Sequence, residues 1–163
     1  MSRRSRSELA AEVVEEIRGW QLDQDLLDEA IAADWGVSRT EGRVIDIVDR
    51  AGRITAGQLG AEVRLTSGAV TAVVDRLEAA GLVRRVRDTA DRRRVFVEVT
   101  PKVEELAAPV FGPLAEEGHR AMTAYNDAEL ELIIRFIRAS RDLLKRHATR
   151  TYELMEQGKE PRH

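Results

Sequence analysis

Cysteine is absent from all 163 residues of this chain. That excludes disulfides, thiolate metal sites and any sensor built on a reactive thiol. Aromatic residues make up only 4% of the chain, and no apolar run approaches the about 18 residues a membrane span needs. The opening MSRRSRSELAAEVVEE carries arginines but no apolar segment after them, so no secretory signal is expected and the expected location is the cytoplasm. His119, His147 and His163 share no metal-ligand spacing, and Glu116-Glu117-Gly118-His119 makes a poor zinc set. No metal and no cofactor are expected. A phosphate-binding loop, a nucleophile elbow, an HExxH motif and evident paired carboxylates are all missing, so an enzyme has little support.

What is present is charge and helix-forming residues. Charged side chains account for 34% of the chain, with abundant Ala, Leu, Val, Glu and Arg, the composition of an exposed, mainly helical protein. The net charge is −3. Between residues 40 and 100, however, eleven Arg face nine Asp and Glu. The acidic excess therefore lies elsewhere, and an acidic body with one basic face would direct an anionic partner to that face.

The apolar spacing predicts the element order. Leu9, Val13, Ile17, Trp20, Leu27 and Ile31 recur at helical intervals, giving a first helix over about 7–34 that ends at Trp35-Gly36-Val37. Ser38-Arg39-Thr40-Glu41 and Thr55-Ala56-Gly57-Gln58 are capping boxes that open a second and a short third helix. Arg53-Ile54 between them fits a brief extended segment. Gly57 and Gly60 weaken the third helix, and close approach to a neighbouring helix is their expected compensation. Thr66 or Ser67 caps a fourth helix with Val70, Val73, Val74 and Leu77 inward, and Gly81 closes it. Two short β-branched runs, 82–86 and 95–99, flank a turn of Asp88, Thr89, Ala90 and Asp91. Thr100-Pro101 starts a fifth helix, with a kink or break expected at Pro109 and Gly112-Pro113. Asn126 caps a sixth helix running past Tyr152, and residues 158–163 are expected to be disordered.

Helix, tight turn, helix and two-stranded ribbon follow one another in the order of a winged helix-turn-helix. The valines of the fourth helix leave Ser67, Gly68, Thr71, Ala72 and Asp75 on its opposite face. The first turn there is small and uncharged, so the helix end can approach base edges, and its free N–H groups favour phosphate. Thr71 can donate to a base or touch a thymine methyl, whereas Ala72 can only touch the methyl. Arg76, one turn on, suits phosphate. Close packing of a helical hairpin is the plainer account of these small residues. Six arginines, at 84, 85, 87, 92, 93 and 94, then crowd the ribbon and its turn. A guanidinium-studded tip suits a narrow, negative groove of duplex DNA. Arg93 is placed to enter that groove while Arg92 and Arg94 meet flanking phosphates. Asp91 either closes an Asx turn or fixes a guanidinium, or both.

The segment GAVTAVVDRLEAAGLVRRVRDTADRRRVFVEVTPK resembles the recognition helix, wing and following helix start of MarR-type (multiple antibiotic resistance) regulators. The most specific matches are Asp75-Arg76-Leu77, Gly81-Leu82-Val83, Asp88 with Asp91-Arg92-Arg93, and Thr100-Pro101. The resemblance implies a homodimer on a pseudo-palindromic operator, with terminal helices of both subunits intertwined. It implies that Ser67, Gly68 and Thr71 read the major groove, Arg76 holds backbone and Arg93 enters the minor groove. Ala72 stands where relatives often carry a longer polar residue, which shifts specificity toward DNA shape. It also implies release by a small aromatic or anionic effector, for which Trp20 and Trp35 are candidate lining residues. Ordinary core or interface packing is the simpler account of both tryptophans.

The expected fold class is thus mainly α: a winged helix-turn-helix with a two-stranded wing, plus an N- and C-terminal helical dimerisation layer. Residues 1–37 and 101–163 would form that layer, and 38–100 the DNA-binding domain. Apolar stripes on the first and sixth helices exceed what a small winged domain covers, an independent pointer to a dimer. The expected function is a ligand-responsive transcriptional regulator, a repressor acting on double-stranded DNA. The alternatives are an architectural or weakly specific DNA-binding protein, and an interaction module that has lost DNA binding.

Overall fold

Five of the six helices begin where a side chain supplies an acceptor for their first free N–H groups. The computed structural model describes residues 4–157, with six helices and three strands among them. The residues 158–163 expected to be disordered lie outside the described ones. Helix α1 (Arg6–Asp34) starts at Ser5, α2 (Arg39–Ala51) at Ser38 and α3 (Ala56–Val63) at Thr55. All three carry the reciprocal capping box. For α4 (Ser67–Ala79) the cap is Thr66, whose hydroxyl accepts the Ala69 N–H at 3.3 Å. Gly36, Gly52 and Gly81, just beyond the ends of α1, α2 and α4, all take positive φ, which glycine adopts without a Cβ penalty.

A sheet of three short antiparallel strands follows the order β1 (Ile54–Thr55), β3 (Val95–Val99), β2 (Val83–Arg87). The ribbon anticipated from the sequence is therefore joined by a third strand, since Ile54 pairs with Val97 and Thr55 with Phe96. The chain divides into two compact units between Pro109 and Val110. In the first, Val44, Ile45 and Val48 of α2, Leu59 of α3, the four apolar residues of α4, and Ile54, Val83 and Val97 of the sheet form one buried core. Burial of this kind contributes about 1.5–3 kcal/mol per large aliphatic side chain. It fixes the rotation of α4 about its own axis, because only one of its faces is apolar.

The second unit holds the rest of α5 (Pro101–Met122) and α6 (Asp127–Gln157). Helix α5 runs without a break through Pro109, Gly112 and Pro113, contrary to the interruption expected there. All three residues are exposed, so water can satisfy the carbonyls that the two prolines leave unpaired. Helix α6 starts on a reciprocal pair between Asn126 and Glu129, at 2.9 and 3.1 Å.

Gly60 lies against α4. A Cβ there would meet Val70 Cγ2 at 3.2 Å and the Leu65 carbonyl oxygen at 3.4 Å. Gly57 has nothing within 4 Å of the same position, so the close approach expected of both glycines holds for Gly60 alone. Gly60→Ala is expected to lower stability, because the gain of up to about 1 kcal/mol in helix propensity is spent on displacing buried Val70. Gly57→Ala is expected to leave stability unchanged or raise it. Urea denaturation at one fixed protein concentration checks the pair, and equal effects would contradict the packing argument.

Candidate nucleic-acid interface

Ser67, Gly68, Thr71 and Ala72 all lie exposed on α4, on the face away from its buried valines. The Thr71 hydroxyl donates to the Ser67 carbonyl at 3.0 Å, so in the free protein its proton is held within the helix. It remains an acceptor, and rotation would free it to donate. A shallow groove between α3 and α4 is lined by Gly57, Gly60, Leu65, Ser67, Val70 and Thr71. Small side chains keep this side of the helix pair low.

Arg76 is not loose on the surface. Its Nε donates to Glu41 Oε1 at 2.6 Å, while over half of its side chain stays exposed. The bond leaves the outer nitrogens free. Glu41 is the one buried charged residue among the described residues, at 8% exposure. Its other oxygen accepts the Ser38 backbone N–H at 2.8 Å and the Ser38 hydroxyl at 2.9 Å. The Ser38 backbone bond, with the Arg76 pair and the Ser38 hydroxyl, holds the carboxyl below its ordinary range despite the opposing cost of burial. Glu41 thus ties the start of α2 to the outer face of α4.

Four wing arginines, at 87, 92, 93 and 94, have no ion pair among the described residues, whereas two are bound. Arg84 meets Glu98 at 3.1 Å. Arg85 reaches Asp75 at 2.6 Å and also pairs with Glu78, both on α4. Burial works against the Arg85 charge, yet the two carboxylates outweigh it and raise its pKa further above the ordinary value. This double pair locks the root of the wing to α4. The turn itself is ordered by backbone bonds from Asp88 N–H to the Arg94 carbonyl and from Arg94 N–H to the Asp91 carbonyl. The Asp91 carboxylate accepts the Arg93 N–H at 3.1 Å, which is the Asx turn; among the described residues no Asp91–guanidinium bond accompanies it. Arg92 and Arg93 project from that turn, exposed.

Two residues proposed as effector-lining stand apart. Trp20 is 63% exposed midway along α1, whereas Trp35 at its end is half-buried against the core. The intervening helix separates them by about 22 Å along the axis within one chain. The Trp35 indole N–H is buried with no acceptor among the described residues.

Sequence reasoning overlooked Glu41, Glu78 and the clamping role of Arg85. The capping box did flag Glu41, but a partner 35 positions away leaves no periodic trace. Glu78 and Arg85 lie only seven apart across a helix–strand junction, so the alternating acid and base there was a usable signal.

Replacing Glu41 by Gln keeps a capping side chain and removes the charge facing Arg76. A depressed folded pKa means that the carboxylate stabilises the fold fully above its unfolded range, near pH 4.3, and ceases to do so as pH falls through the folded value. Glu41→Gln is expected to cost about 1–2 kcal/mol at pH 7, a deficit that shrinks toward zero below about pH 4. Denaturant titrations across that range test this; a pH-independent deficit would contradict it.

The sequence profile of the MarR family matches residues 35–94, the span from the end of α1 to the wing turn. The uncharacterized HTH-type transcriptional regulator YcgE of Bacillus subtilis is 37% identical over 149 residues, covering 91% of this chain and 97% of that protein. A MarR family protein from Bacillus stearothermophilus has the same fold, with a TM-score of 0.63 at 20% identity over 87% of this chain and 99% of its own. NadR, solved in complex with 4-hydroxyphenylacetate, superposes with a TM-score of 0.54 at 22% identity, over 91% of this chain and 98% of NadR. With the capped α3–α4 pair and the arginine wing, these matches place the chain in the MarR family of DNA-binding, winged helix-turn-helix transcriptional regulators.

Proposed function

We propose that the chain is a repressor that binds a pseudo-palindromic operator as a homodimer and releases it on binding a small aromatic or anionic effector. The observation that carries the DNA side of this proposal is a helix buried on its valine face beside a wing whose tip arginines make no ion pair among the described residues. Ser67, Gly68, Thr71 and Ala72 would face base edges, and the outer nitrogens of Arg76 would meet phosphate. Arg93 would enter the minor groove with Arg92 and Arg94 on the flanking phosphates, while Asp91 holds the turn. Duplex DNA steers toward such a patch even though the whole chain is acidic.

The homodimer rests on apolar surface. Helix α1 exposes Leu9, Val13, Val14, Trp20, Leu22 and Leu26, and α6 exposes Ile133, Phe136, Ile137, Leu143, Leu144 and Leu154. Rows of this length on two long helices call for a partner, and a second copy brings the same rows. A two-fold dimer would set its recognition helices about 34 Å apart, one turn of DNA. Helix α6 carries Ile137 and Leu144 one heptad apart on one face. Ile137→Glu with Leu144→Glu is expected to yield a monomer by sedimentation and to weaken operator binding at least tenfold, since each half-site must then be held separately. A dimer that survives both substitutions would contradict this interface.

NadR's 4-hydroxyphenylacetate supports the effector class. The buried indole N–H of Trp35 is a donor that a carboxylate or carbonyl would satisfy. Trp20, exposed on α1, would line such a site from a different position or pack in the dimer.

One observation favours a weakly specific DNA binder instead: Gly68 and Ala72 offer no hydrogen-bonding side chain to bases. Footprinting separates the two, because a repressor protects a discrete pair of half-sites. Selection of bound sequences from a genomic DNA pool then gives site symmetry and target together. On the selected operator, Arg93→Ala is expected to weaken binding by about 1–3 kcal/mol without changing the dimer. Unaltered affinity in a gel-shift titration would remove Arg93 from the interface.

A further inference from the structure

Phe96 is buried at 8% exposure, yet it lies outside the contiguous cluster of buried residues around α4. Strand register explains its position. Phe96 pairs with Val86 on one side and Thr55 on the other, so these side chains share a face of the sheet. Val97, which pairs with Arg85 and Ile54, points to the opposite face, the one that joins the core. An aromatic ring on the outer face would ordinarily stand in water. Here two guanidiniums lie over it, Arg53 at 4.7 Å and Arg94 at 5.2 Å from the ring centroid.

Neither arginine has a carboxylate partner among the described residues, in contrast to Arg76, Arg84 and Arg85. Glu98, on the same face as Phe96, is already engaged by Arg84. Contact with the ring therefore constrains both guanidiniums, while their N–H groups and charges are not spent on a carboxylate. Arg94 continues directly from the tip arginines, and Arg53, just before β1, extends the row beyond the ribbon. A groove-inserted tip is bordered by sugar-phosphate backbone, so the flank of the wing meets phosphates.

We propose that Arg53 is a further DNA-contacting residue, binding backbone phosphate together with Arg94, and that Phe96 is the positioning residue that holds both. The proposal rests on the DNA-binding reading above and adds a contact from the α2–β1 junction, outside both the recognition helix and the ribbon. Phosphate contact is indifferent to sequence, so its loss affects all duplexes alike.

The test is a salt titration of the full-length protein on a mixed-sequence duplex and on the selected operator. Each phosphate contact contributes about one unit to the slope of log affinity against log salt. Arg53→Gln is expected to flatten that slope by about one unit on both duplexes and to weaken binding about three- to tenfold near 0.1 M salt, with Arg53→Lys recovering most of the loss. Phe96→Leu, which leaves both arginines in place, is expected to weaken binding several-fold and to lower the slope, and Phe96→Tyr to restore both. Thermal unfolding of each variant reports separately on the sheet. A wild-type slope in Arg53→Gln, with Arg93→Ala still impaired, overturns this contact and leaves the DNA-binding reading standing. Equal binding by Phe96→Leu and wild type, or no recovery in a folded Phe96→Tyr, overturns the positioning role. A wild-type protein that ignores every duplex at low salt overturns both.

Discussion

Rotation of one helix about its axis is the constraint from which the rest follows. Val70, Val73, Val74 and Leu77 occupy α4 at intervals that put them on one side, and all four are buried. Once that side is sealed against α2, α3 and the sheet, Ser67, Gly68, Thr71 and Ala72 have nowhere to go but outward. No polar contact is needed to aim them. Polar contacts instead fix what surrounds the helix: Glu41 carries Arg76 on the outer face, and Arg85 secures the wing through Asp75 and Glu78. The hydrophobic core sets orientation, and the ion pairs set register between neighbours. Of these pairs, the one involving buried Glu41 matters most to stability, because exposed pairs contribute little in water.

The three capping boxes, the glycine stops and the valine stripe were all legible in the sequence, because each depends on residues within about four positions of one another. The wing strands were legible for the same reason. What the sequence did not yield depends on distant partners. The brief extended segment at Arg53-Ile54 was anticipated, but not its pairing: the two-residue strand exists because Val97 and Phe96 offer backbone groups to Ile54 and Thr55. No local pattern announces that. Of the kink or break expected in α5, the break does not occur: intrinsic propensity argues for one, and solvent access to the freed carbonyls permits the helix to continue. Gly57 and Gly60 looked alike in sequence, and only the position of Val70 distinguishes them. The site residues on α4 and at the wing tip were named from pattern and resemblance. Their surroundings, the Glu41–Arg76 pair and the two guanidiniums over Phe96 above all, became visible only in three dimensions.

Arginine serves two ends in this wing, and the arrangement separates them. Arg84 and Arg85 point at carboxylates and are neutralised within the protein, so they hold the ribbon to its support. Among the described residues Arg92 and Arg93 are left without such partners, at a turn whose backbone is already ordered by Asp88 and Asp91. Ordering the backbone in advance lowers the entropy cost of using those side chains on a polyanion. Arg53 and Arg94 fall between the two groups: constrained in position by an aromatic ring, yet unneutralised.

The proposed dimer and the proposed DNA contacts constrain each other. A single winged unit with a short uncharged helix start and few base-reading groups offers little discrimination between sequences. Two such units held at a fixed spacing gain it from geometry, since only sites with matching half-site separation engage both. The apolar rows on α1 and α6 are therefore more than a solubility problem awaiting cover: they would supply the rigidity that turns weak half-site contacts into a specific one. An effector that shifts that spacing by a small amount would then release the operator without touching any residue that faces DNA, because both half-sites must fit at once.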